Sequence, residues 1–295
     1  MSIKCNHLSK TFNDLYAIND FSIDLDDNLI YGLIGRNGAG KTTLLKMLAK
    51  QIFPTNGDIL INNKDLQSEE LKEKICLTRE TINIKTIRQL RVKDILYTAS
   101  LIYPNWSNEL KKNLIRDFEL NTKKTYEKLS KGMQTMVSII IGLSSRAEIT
   151  LFDEPYIGLD PVGREIFYRY LREDYIKYPR TIIISTHLMN ELQNMFEKVI
   201  FIHKGKLMLY KNMEEVQDTS YILQGNEEDI RDVIENKKVI HTEKIGRLIS
   251  AYVMDRIEDY EIENIKKKDI TISGMDLQTL FINLTLGENG GDKYE

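Results

Sequence analysis

The sequence lacks most features that would mark a secreted or membrane-embedded protein. It has two cysteines, Cys5 and Cys76, and neither belongs to a CxxC pair or to a metal-ligand cluster. This usage favours a reducing compartment and two buried thiols. The N-terminus has no apolar core of a signal peptide, and the longest apolar stretch, around 136–143, is too short to span a bilayer. We therefore expect any role at a membrane to depend on a partner.

The sequence also lacks an excess of charge of either sign. Its 41 basic and 44 acidic side chains give a formal net charge of -3. Proteins that bind nucleic-acid backbones are normally basic, so the composition gives no case for a nucleic-acid partner. With 42% hydrophobic and 29% charged residues among 295, the chain is typical of a soluble protein with one large α/β domain and a small appendage.

What is present is a glycine-rich segment between a predicted strand, 29–34, and a predicted helix. The segment reads Gly35-Arg36-Asn37-Gly38-Ala39-Gly40-Lys41-Thr42-Thr43. Glycines let backbone N–H groups curl around phosphate oxygens, and the helix start points its positive dipole end at the same anion. In this context the pattern predicts a nucleotide-binding P-loop rather than a glycine-rich turn in an ordinary βα unit. Lys41 is expected to reach the β- and γ-phosphates, and the Thr42 hydroxyl to bind Mg²⁺.

A pair of acids follows the predicted buried strand 149–152. Asp153 and Glu154 stand at the C-terminal end of that strand, where ligands bind in α/β proteins. We expect Asp153 to bind the metal opposite Thr42, and Glu154 to polarise the attacking water as a general base. The alternative is that two acids before Pro155 only cap a turn.

Two further segments, one with Ser130 and Gly132 and one with His187, give weaker evidence of a function. Ser130 and Gly132 stand at the start of a predicted helix, where they either cap the helix or contact an anion. His187 follows the predicted strand 181–185. A lone histidine is usually structural, but at the C-terminal end of a strand beside a phosphate site it is a candidate contact for the γ-phosphate.

Hydrophobic patterning divides the chain into two predicted domains. Continuous β-branched runs alternate with helices over residues 1–215, which predicts a mostly parallel sheet covered on both faces, with a helical insertion at about 88–145. Residues 216–295 are more charged and predict a small α+β domain, with a frayed tail from 287. Leu277, Leu280 and Phe281 lie on one helix face, which is expected to join the core or, alternatively, to form a dimer contact.

The ordered motifs resemble the nucleotide-binding subunit of an ABC transporter over about residues 1–215. The segments that carry the resemblance are 35–42, 129–133, 151–155, 158–160 and His187. The resemblance implies an α/β P-loop NTPase core of ABC type with an antiparallel β subdomain, and an ATPase that uses ATP and Mg²⁺. It also implies that Phe12 stacks on adenine, with Tyr16 as the fallback, and that Asp160 lies in the loop that couples two subunits.

The same resemblance implies a dimer. In ABC proteins the signature segment of one subunit, here with Ser130 and Gly132 as the phosphate-contacting pair, completes the site of the other. We therefore expect either a homodimer or a heterodimer with a paralogous ATPase. The pair is expected to drive a separately encoded transmembrane permease subunit from the cytoplasmic face of the cell membrane.

The signature and the upstream Tyr103-Pro104-Asn105-Trp106 resemble those of single-domain bacterial exporter ATPases. These include the subunits for phenol-soluble modulin export and relatives in antibiotic-peptide operons, so we expect export of peptides or other amphipathic compounds. The alternative is a soluble ABC ATPase that acts on ribosomes or nucleic acid. Ribosome-acting members typically have two such domains and DNA-repair members have long coiled coils, neither of which the sequence predicts.

Two sites depart from the family pattern. Lys131 and Met133 stand where the signature usually has glycine and glutamine, while Ser130 and Gly132 are kept. Glu80 stands where the family usually has glutamine after a short strand. A carboxylate there can still coordinate Mg²⁺ or water, but it adds negative charge near the phosphates.

Overall fold

A computed structural model describes residues 1–66, 68–82 and 84–289, which divide into two compact units. The first unit comprises Met1–His187 and Met195–Tyr210. The second comprises Leu188–Asn194 and the chain from Lys211 onward. The division therefore falls at Tyr210, whereas the predicted boundary after residue 215 stays a prediction.

The strands of the first unit form an antiparallel sheet and a larger, mostly parallel sheet. Their bounds are β1 Ile3–Phe12, β2 Leu15–Leu25, β3 Ile30–Ile34, β4 Asn56–Ile61, β5 Lys64–Asp65, β6 Ile75–Arg79, β7 Ile149–Asp153, β8 Thr181–Thr186, β9 Lys198–His203 and β10 Lys206–Asn212. The antiparallel sheet has the order β2-β1-β4-β5. The larger sheet has the order β10-β9-β3-β8-β7-β6, in which β9, β3, β8, β7 and β6 run parallel.

The central parallel strands are apolar along their whole length because both faces of the sheet are covered. Every residue of β3, β7 and β8 is buried. A continuous apolar run, without alternation of apolar and polar residues, predicts this burial of both faces. On β7 the ring of Phe152 packs edge-on against Phe167 with centroids 5.4 Å apart. This packing joins the sheet to the helix that contains Phe167.

The helices of the first unit include an insertion between β6 and β7. Their bounds are α1 Lys41–Leu48, α2 Lys85–Arg88, α3 Val92–Ile102, α4 Asn108–Asp117, α5 Lys131–Ser145 and α6 Pro161–Lys177. Local sequence sets several of the starts. The Ser107 hydroxyl accepts a hydrogen bond from the N–H of Leu110 at 3.2 Å and so caps α4. Pro161 occupies the first turn of α6, where its missing N–H costs nothing.

The register of the parallel sheet aligns the strand ends that carry the candidate site. Arg79 on β6 is the register partner of Asp153 on β7, which is in turn the partner of Ser185 on β8. Ser185 is also paired with Leu33 on β3, just before the glycine-rich segment. Because parallel strands end at the same edge of a sheet, the loops that follow β3, β6, β7 and β8 start side by side there.

The second unit is a small α+β structure, as expected. Its elements are α7 Met189–Leu192, α8 Met213–Thr219, β11 Ser220–Asn226, α9 Glu227–Ile234, β12 Val239–Ile245, β13 Leu248–Met254, α10 Asp259–Lys267, β14 Thr271–Gly274 and α11 Leu277–Asn289. The antiparallel sheet has the order β12-β13-β11-β14. With the chain order β11-α9-β12-β13-α10-β14, this is the split βαβ arrangement of ferredoxin-like folds.

Two expectations concern the C-terminal helix α11, and the first, core packing of its apolar face, agrees with the structure. Leu277, Leu280 and Phe281 are buried in the chain, so they form core and are not available as a dimer contact. Residues 287–289 belong to α11, and 290–295 lie outside the described residues, so the expected fraying of the tail stays a prediction. In the part of the chain that the structure describes, no helix has the length and apolar character to cross a membrane.

Candidate active site

The glycine-rich segment turns the chain from β3 into α1 through left-handed backbone. Gly38 and Gly40 have φ angles of 81° and 110°, a region that side chains other than glycine rarely adopt. A Cβ on Gly40 would lie 2.5 Å from the carbonyl oxygen of Ala17, so the close approach of β2 also requires glycine. A Cβ on Gly35 would lie 2.6 Å from the carbonyl oxygen of Ile202 on β9. The sequence pattern thus reflects three positions at which only glycine fits.

An open cleft of about 340 Å³ lies against this segment. Its lining brings together the loop residues 36–43 and the ends of β6 and β7, namely Arg79, Glu80, Asp153 and Glu154, with Ala17 and Ile157. The cleft also meets the first turn of α1, whose N–H groups have no partners within the helix. Free N–H groups, a helix dipole and a lysine together suit this cleft to binding an anion.

The Lys41 side chain is buried at the base of the cleft, with 5% of its surface exposed. Its Nζ donates to the carbonyl oxygen of Gly35 at 2.7 Å and lies 3.3 Å from Oε1 of Glu154. The backbone carbonyl and the carboxylate together fix the ammonium in the cleft, where a buried charge needs partners.

Asp153 is the hub of the polar contacts in the cleft. Its Oδ2 accepts from the Thr42 hydroxyl at 2.9 Å, and its Oδ1 accepts from the Ser185 hydroxyl at 2.8 Å. Arg79 Nε lies 3.3 Å from the same Oδ2. One carboxylate beside one hydroxyl is the donor set that suits Mg²⁺ carried by a nucleotide, because this ion keeps several waters and takes few protein ligands. The residues present therefore fit the metal.

Glu154 has a strained backbone that turns its carboxylate into the cleft. Consecutive strand residues point to opposite faces, yet Asp153 and Glu154 both line the cleft. Glu154 achieves this with a φ of 51°, and its N–H donates to the Ser185 hydroxyl at 3.0 Å. Such a conformation in a non-glycine residue costs about 1–3 kcal/mol and is concentrated at functional sites. Its Oε2 lies 3.4 Å from Nδ1 of His187.

The matches to known proteins agree with this arrangement. A family model described as ABC transporter matches residues 18–157. The bacitracin transport ATP-binding protein BcrA of Bacillus licheniformis is 32% identical over 209 residues, which cover 70% of this chain and 68% of BcrA. The ATP-binding protein NatA of Bacillus subtilis is 30% identical over 234 residues, which cover 72% of this chain and 93% of NatA. The chain belongs to the ABC transporter ATP-binding protein family.

Solved structures of ABC ATPases show the same fold. An ATP-binding subunit of an ABC transporter superposes with a TM-score of 0.65 at 23% identity, covering 74% of this chain and 92% of that one. The dimeric cassette MJ0796, in a post-hydrolysis state with ADP and Pi, gives 0.60 at 18% identity, covering 72% and 98%. The predicted P-loop NTPase fold is confirmed. The protein is an ATPase, with ATP and Mg²⁺ as its nucleotide and metal.

The structure brings only part of the predicted residue set to the cleft. Outside the glycine-rich segment, five predicted site residues do not line the cleft: Phe12, Ser130, Gly132, Asp160 and His187, of which His187 contacts the lining residue Glu154. Phe12 is 50% exposed at the end of the β1–β2 hairpin, near the alternative, Tyr16. The functional roles of all the predicted site residues, inside and outside the cleft, stay predictions.

Three of the residues outside the cleft also have structural roles within the chain. The Ser130 hydroxyl accepts from the N–H of Met133 at 3.3 Å and caps α5. Asp160 Oδ1 accepts from the N–H of Gly163 at 2.7 Å and caps α6. A Cβ on Gly132 would lie 2.3 Å from the carbonyl oxygen of Gly158, so these two glycines meet by close backbone packing.

Three residues of this ABC ATPase were not assigned a role from its sequence. Ser185 binds both Asp153 and the backbone of Glu154, and Arg79 lies against Asp153. Tyr156 contacts His187, which lies on a different loop. The only sequence signal for Ser185 and Arg79 is their place at the ends of predicted strands. The sequence gives no signal for Tyr156, because its contact with His187 depends on how two loops meet.

Proposed function

We propose that this ABC ATPase powers a membrane exporter of peptides or other amphipathic compounds. The observation that supports the proposal is a set of contacts at the cleft of the glycine-rich segment, from Lys41 through Glu154 to His187 and from Thr42 to Asp153. In this proposal Glu154 is the general base, which a module that only binds ATP does not need. The proposal therefore couples hydrolysis, and not binding alone, to transport.

In this proposal six of the predicted site residues each have a task during hydrolysis. Lys41 donates to the β- and γ-phosphates of ATP, and Thr42 and Asp153 hold the Mg²⁺ that comes with them. When bound there, Mg²⁺ would supply positive charge opposite the phosphate oxygens. Glu154 accepts the proton of the attacking water, and His187 donates to a γ-phosphate oxygen. Glu80 lines the cleft and is proposed to contact water or the metal.

We further propose that a second subunit completes the site. The cleft is open, and Ser130, exposed at the start of α5, is not among the residues that line it. A head-to-tail pair would bring Ser130 and Gly132 of one subunit onto the ATP held by the other. Transition-state contacts supplied in trans raise rates about 10³–10⁵-fold in other P-loop enzymes. The pair is a homodimer or a heterodimer with a paralogous ATPase.

The cargo and the direction of transport rest on similarity. Relatives include a bacitracin transport protein at 32% identity and the carnitine transport protein OpuCA of Listeria monocytogenes at 27%. The chain spans 56% of the length of OpuCA but 68% of BcrA, so the bacitracin protein supports the proposal better. A transmembrane permease subunit, encoded separately, is proposed to hold the ATPase at the cytoplasmic face of the membrane.

The test is transport in reconstituted vesicles. The chain is co-purified with its membrane subunit and placed in liposomes so that the ATPase faces outward. We expect ATP-dependent uptake of a fluorescent amphipathic peptide into these vesicles, which corresponds to export from a cell. Lys41→Ala is the control for dependence on ATP.

Two outcomes contradict the proposal. Peptide that leaves preloaded vesicles on addition of ATP indicates import. Hydrolysis that is stimulated by ribosomes or DNA but not by the membrane subunit indicates the soluble alternative.

A further inference from the structure

The Ser185 hydroxyl makes hydrogen bonds to two consecutive residues at the end of β7. It donates to Oδ1 of Asp153 at 2.8 Å and accepts from the backbone N–H of Glu154 at 3.0 Å. Both directions are fixed, because a carboxylate accepts and a backbone N–H only donates. Ser185 is fully buried, so neither bond is open to bulk water. One hydroxyl thus joins the side chain of Asp153 to the main chain of Glu154.

The bond to Glu154 supports a strained backbone. β7 pairs with β8 up to Asp153 and Ser185, and the next residue, Glu154, leaves the strand with a φ of 51°. A left-handed conformation in a residue other than glycine persists only where the surrounding structure holds it. The Ser185 hydroxyl accepts the N–H of the residue in this conformation. Because the turn brings Glu154 to the cleft beside Asp153, the bond influences where the Glu154 carboxylate points.

The bond to Asp153 restrains a carboxylate that also contacts helix α1. Oδ1 accepts from Ser185, whereas Oδ2 is the oxygen nearer to the Thr42 hydroxyl, at 2.9 Å compared with 3.2 Å for Oδ1. Two hydroxyls from different elements, β8 and α1, therefore restrain the rotation of one carboxylate. Since Thr42 and Asp153 are proposed to hold Mg²⁺, Ser185 lies where it can orient one of the two ligands.

We propose that Ser185 is a positioning residue that couples the orientation of the Asp153 carboxylate to that of the Glu154 backbone. The inference rests on the proposed roles of Asp153 as a metal ligand and of Glu154 as the base. Because one hydroxyl serves both residues, a shift of either residue alters the bond to the other. Metal binding and the placement of the base therefore depend on each other through Ser185.

The metal half of the inference is tested without hydrolysis. Mn²⁺, which favours the same oxygen ligands as Mg²⁺, is titrated into the full-length chain with a non-hydrolysable ATP analogue, and EPR measures the free ion. Loss of a group that orients a metal ligand typically costs about 10–100-fold in affinity. We expect Ser185→Ala to raise the dissociation constant of Mn²⁺ about tenfold, the lower end of that range.

The half that concerns Glu154 is tested by single-turnover hydrolysis at saturating metal, where weaker metal binding no longer limits the rate. We expect Ser185→Ala to lower this rate about tenfold when Glu154 is present. In a Glu154→Gln background we expect the same change to lower the residual rate about twofold or less, because residues that act as a unit have non-additive effects.

Ser145→Ala is the matched control. Ser145 is also fully buried, and its hydroxyl donates to the backbone carbonyl of Gly142 at 2.8 Å and accepts from the N–H of Ala147 at 3.2 Å. Both variants therefore lose a buried hydroxyl that donates one bond and accepts another from a backbone N–H. Because Ser145 lies outside the cleft, we expect its loss to leave Mn²⁺ affinity and the single-turnover rate unchanged.

Two results overturn the inference. One is an Mn²⁺ affinity that is the same in Ser185→Ala and Ser145→Ala, which would show that the Ser185 hydroxyl only stabilises the fold. The other is an equal loss of rate from Ser185→Ala with and without Glu154, which would show that Ser185 does not act through the base. The proposed metal ligand is judged separately by Mn²⁺ binding to Asp153→Asn, and the base by the rate of Glu154→Gln alone. All these measurements are made without the membrane subunit, so they do not depend on the proposed export.

Discussion

The ammonium of Lys41 lies 3.3 Å from the Glu154 carboxylate, so the proposed phosphate-binding residue and the proposed base neutralise each other in the cleft. Bound phosphates would compete with Glu154 for the lysine. Their arrival would then release the carboxylate to act on water. The contact thus links nucleotide binding to the availability of the base.

Replacement of the base is the first prediction. Glu154→Gln keeps the size of the side chain but removes its charge, so hydrolysis is expected to fall about 10²–10⁴-fold, the usual contribution of general-base catalysis. ATP binding is expected to persist and to trap a closed dimer, which size-exclusion chromatography with ATP detects.

Glu148→Gln is the control for this variant, because Glu148 precedes the same strand β7 and lies outside the cleft. It is expected to hydrolyse ATP like the wild type. A Glu154→Gln protein that elutes only as monomer in the presence of ATP contradicts the sandwich dimer.

Loss of the P-loop lysine is the second prediction. Lys41→Ala removes a charged donor from the phosphate site, and hydrogen bonds to charged groups contribute about 1.5–3 kcal/mol. ATP affinity, measured by calorimetry, is therefore expected to fall at least tenfold. Lys46→Ala changes the same residue type one turn later in α1, outside the cleft, and is expected to bind ATP normally. Equal affinity in the two variants would place the phosphates elsewhere.

The third prediction concerns Glu80, which stands where the family usually has glutamine. Glu80→Gln removes a negative charge from the cleft lining while leaving Lys41 and the glycine-rich loop intact. We expect ATP affinity to stay nearly unchanged and turnover to rise by up to about tenfold, equivalent to about 1.4 kcal/mol. The reason is that the Glu80 carboxylate repels the negative charge of the transition state, and Glu80→Gln removes that repulsion.

Steady-state hydrolysis and calorimetry measure the effect of Glu80→Gln, with Glu127→Gln as the same change at an exposed position outside the cleft. Identical rates for Glu80→Gln and wild type would show that this departure from the family pattern does not influence turnover.

The fourth prediction concerns stability and a buried group of charges. Asp174 lies 2.8 Å from Arg146 and 2.9 Å from Arg180, and the Asp174 and Arg180 side chains are 3% and 4% exposed. Burial lowers the pKa of the Arg180 guanidinium, an effect that the Asp174 carboxylate opposes. Asp174→Asn leaves both arginines without their counter-ion, so the free energy of unfolding is expected to fall by about 3–5 kcal/mol.

Chemical denaturation measures this loss. The control is Glu70→Gln, which breaks the exposed pair of Glu70 with Lys64, and exposed pairs contribute little. We expect no measurable change in the control. If the two variants unfold at the same denaturant concentration, the buried group does not stabilise the fold.

The elements of the first unit were largely predictable from local sequence. Pro161 marks the start of α6, the serine at 107 caps α4, and the apolar run before Gly35 is β3. Such signals depend on neighbouring residues in the chain, which is why they can be read directly. The order of strands in the ferredoxin-like unit was not predictable, because antiparallel pairing between distant strands leaves no local signal.

By itself, the sequence determined the candidate nucleotide site, because the glycines, Lys41, Thr42 and the acids at 153 and 154 have the spacing that phosphate and metal chemistry requires. Only the tertiary structure decided which residues support them. Ser185, Arg79 and Tyr156 reach the site because strands β6, β7 and β8 end at one edge of the sheet. Spacing along the chain records local geometry, whereas contacts between loops depend on how the strands are ordered in space.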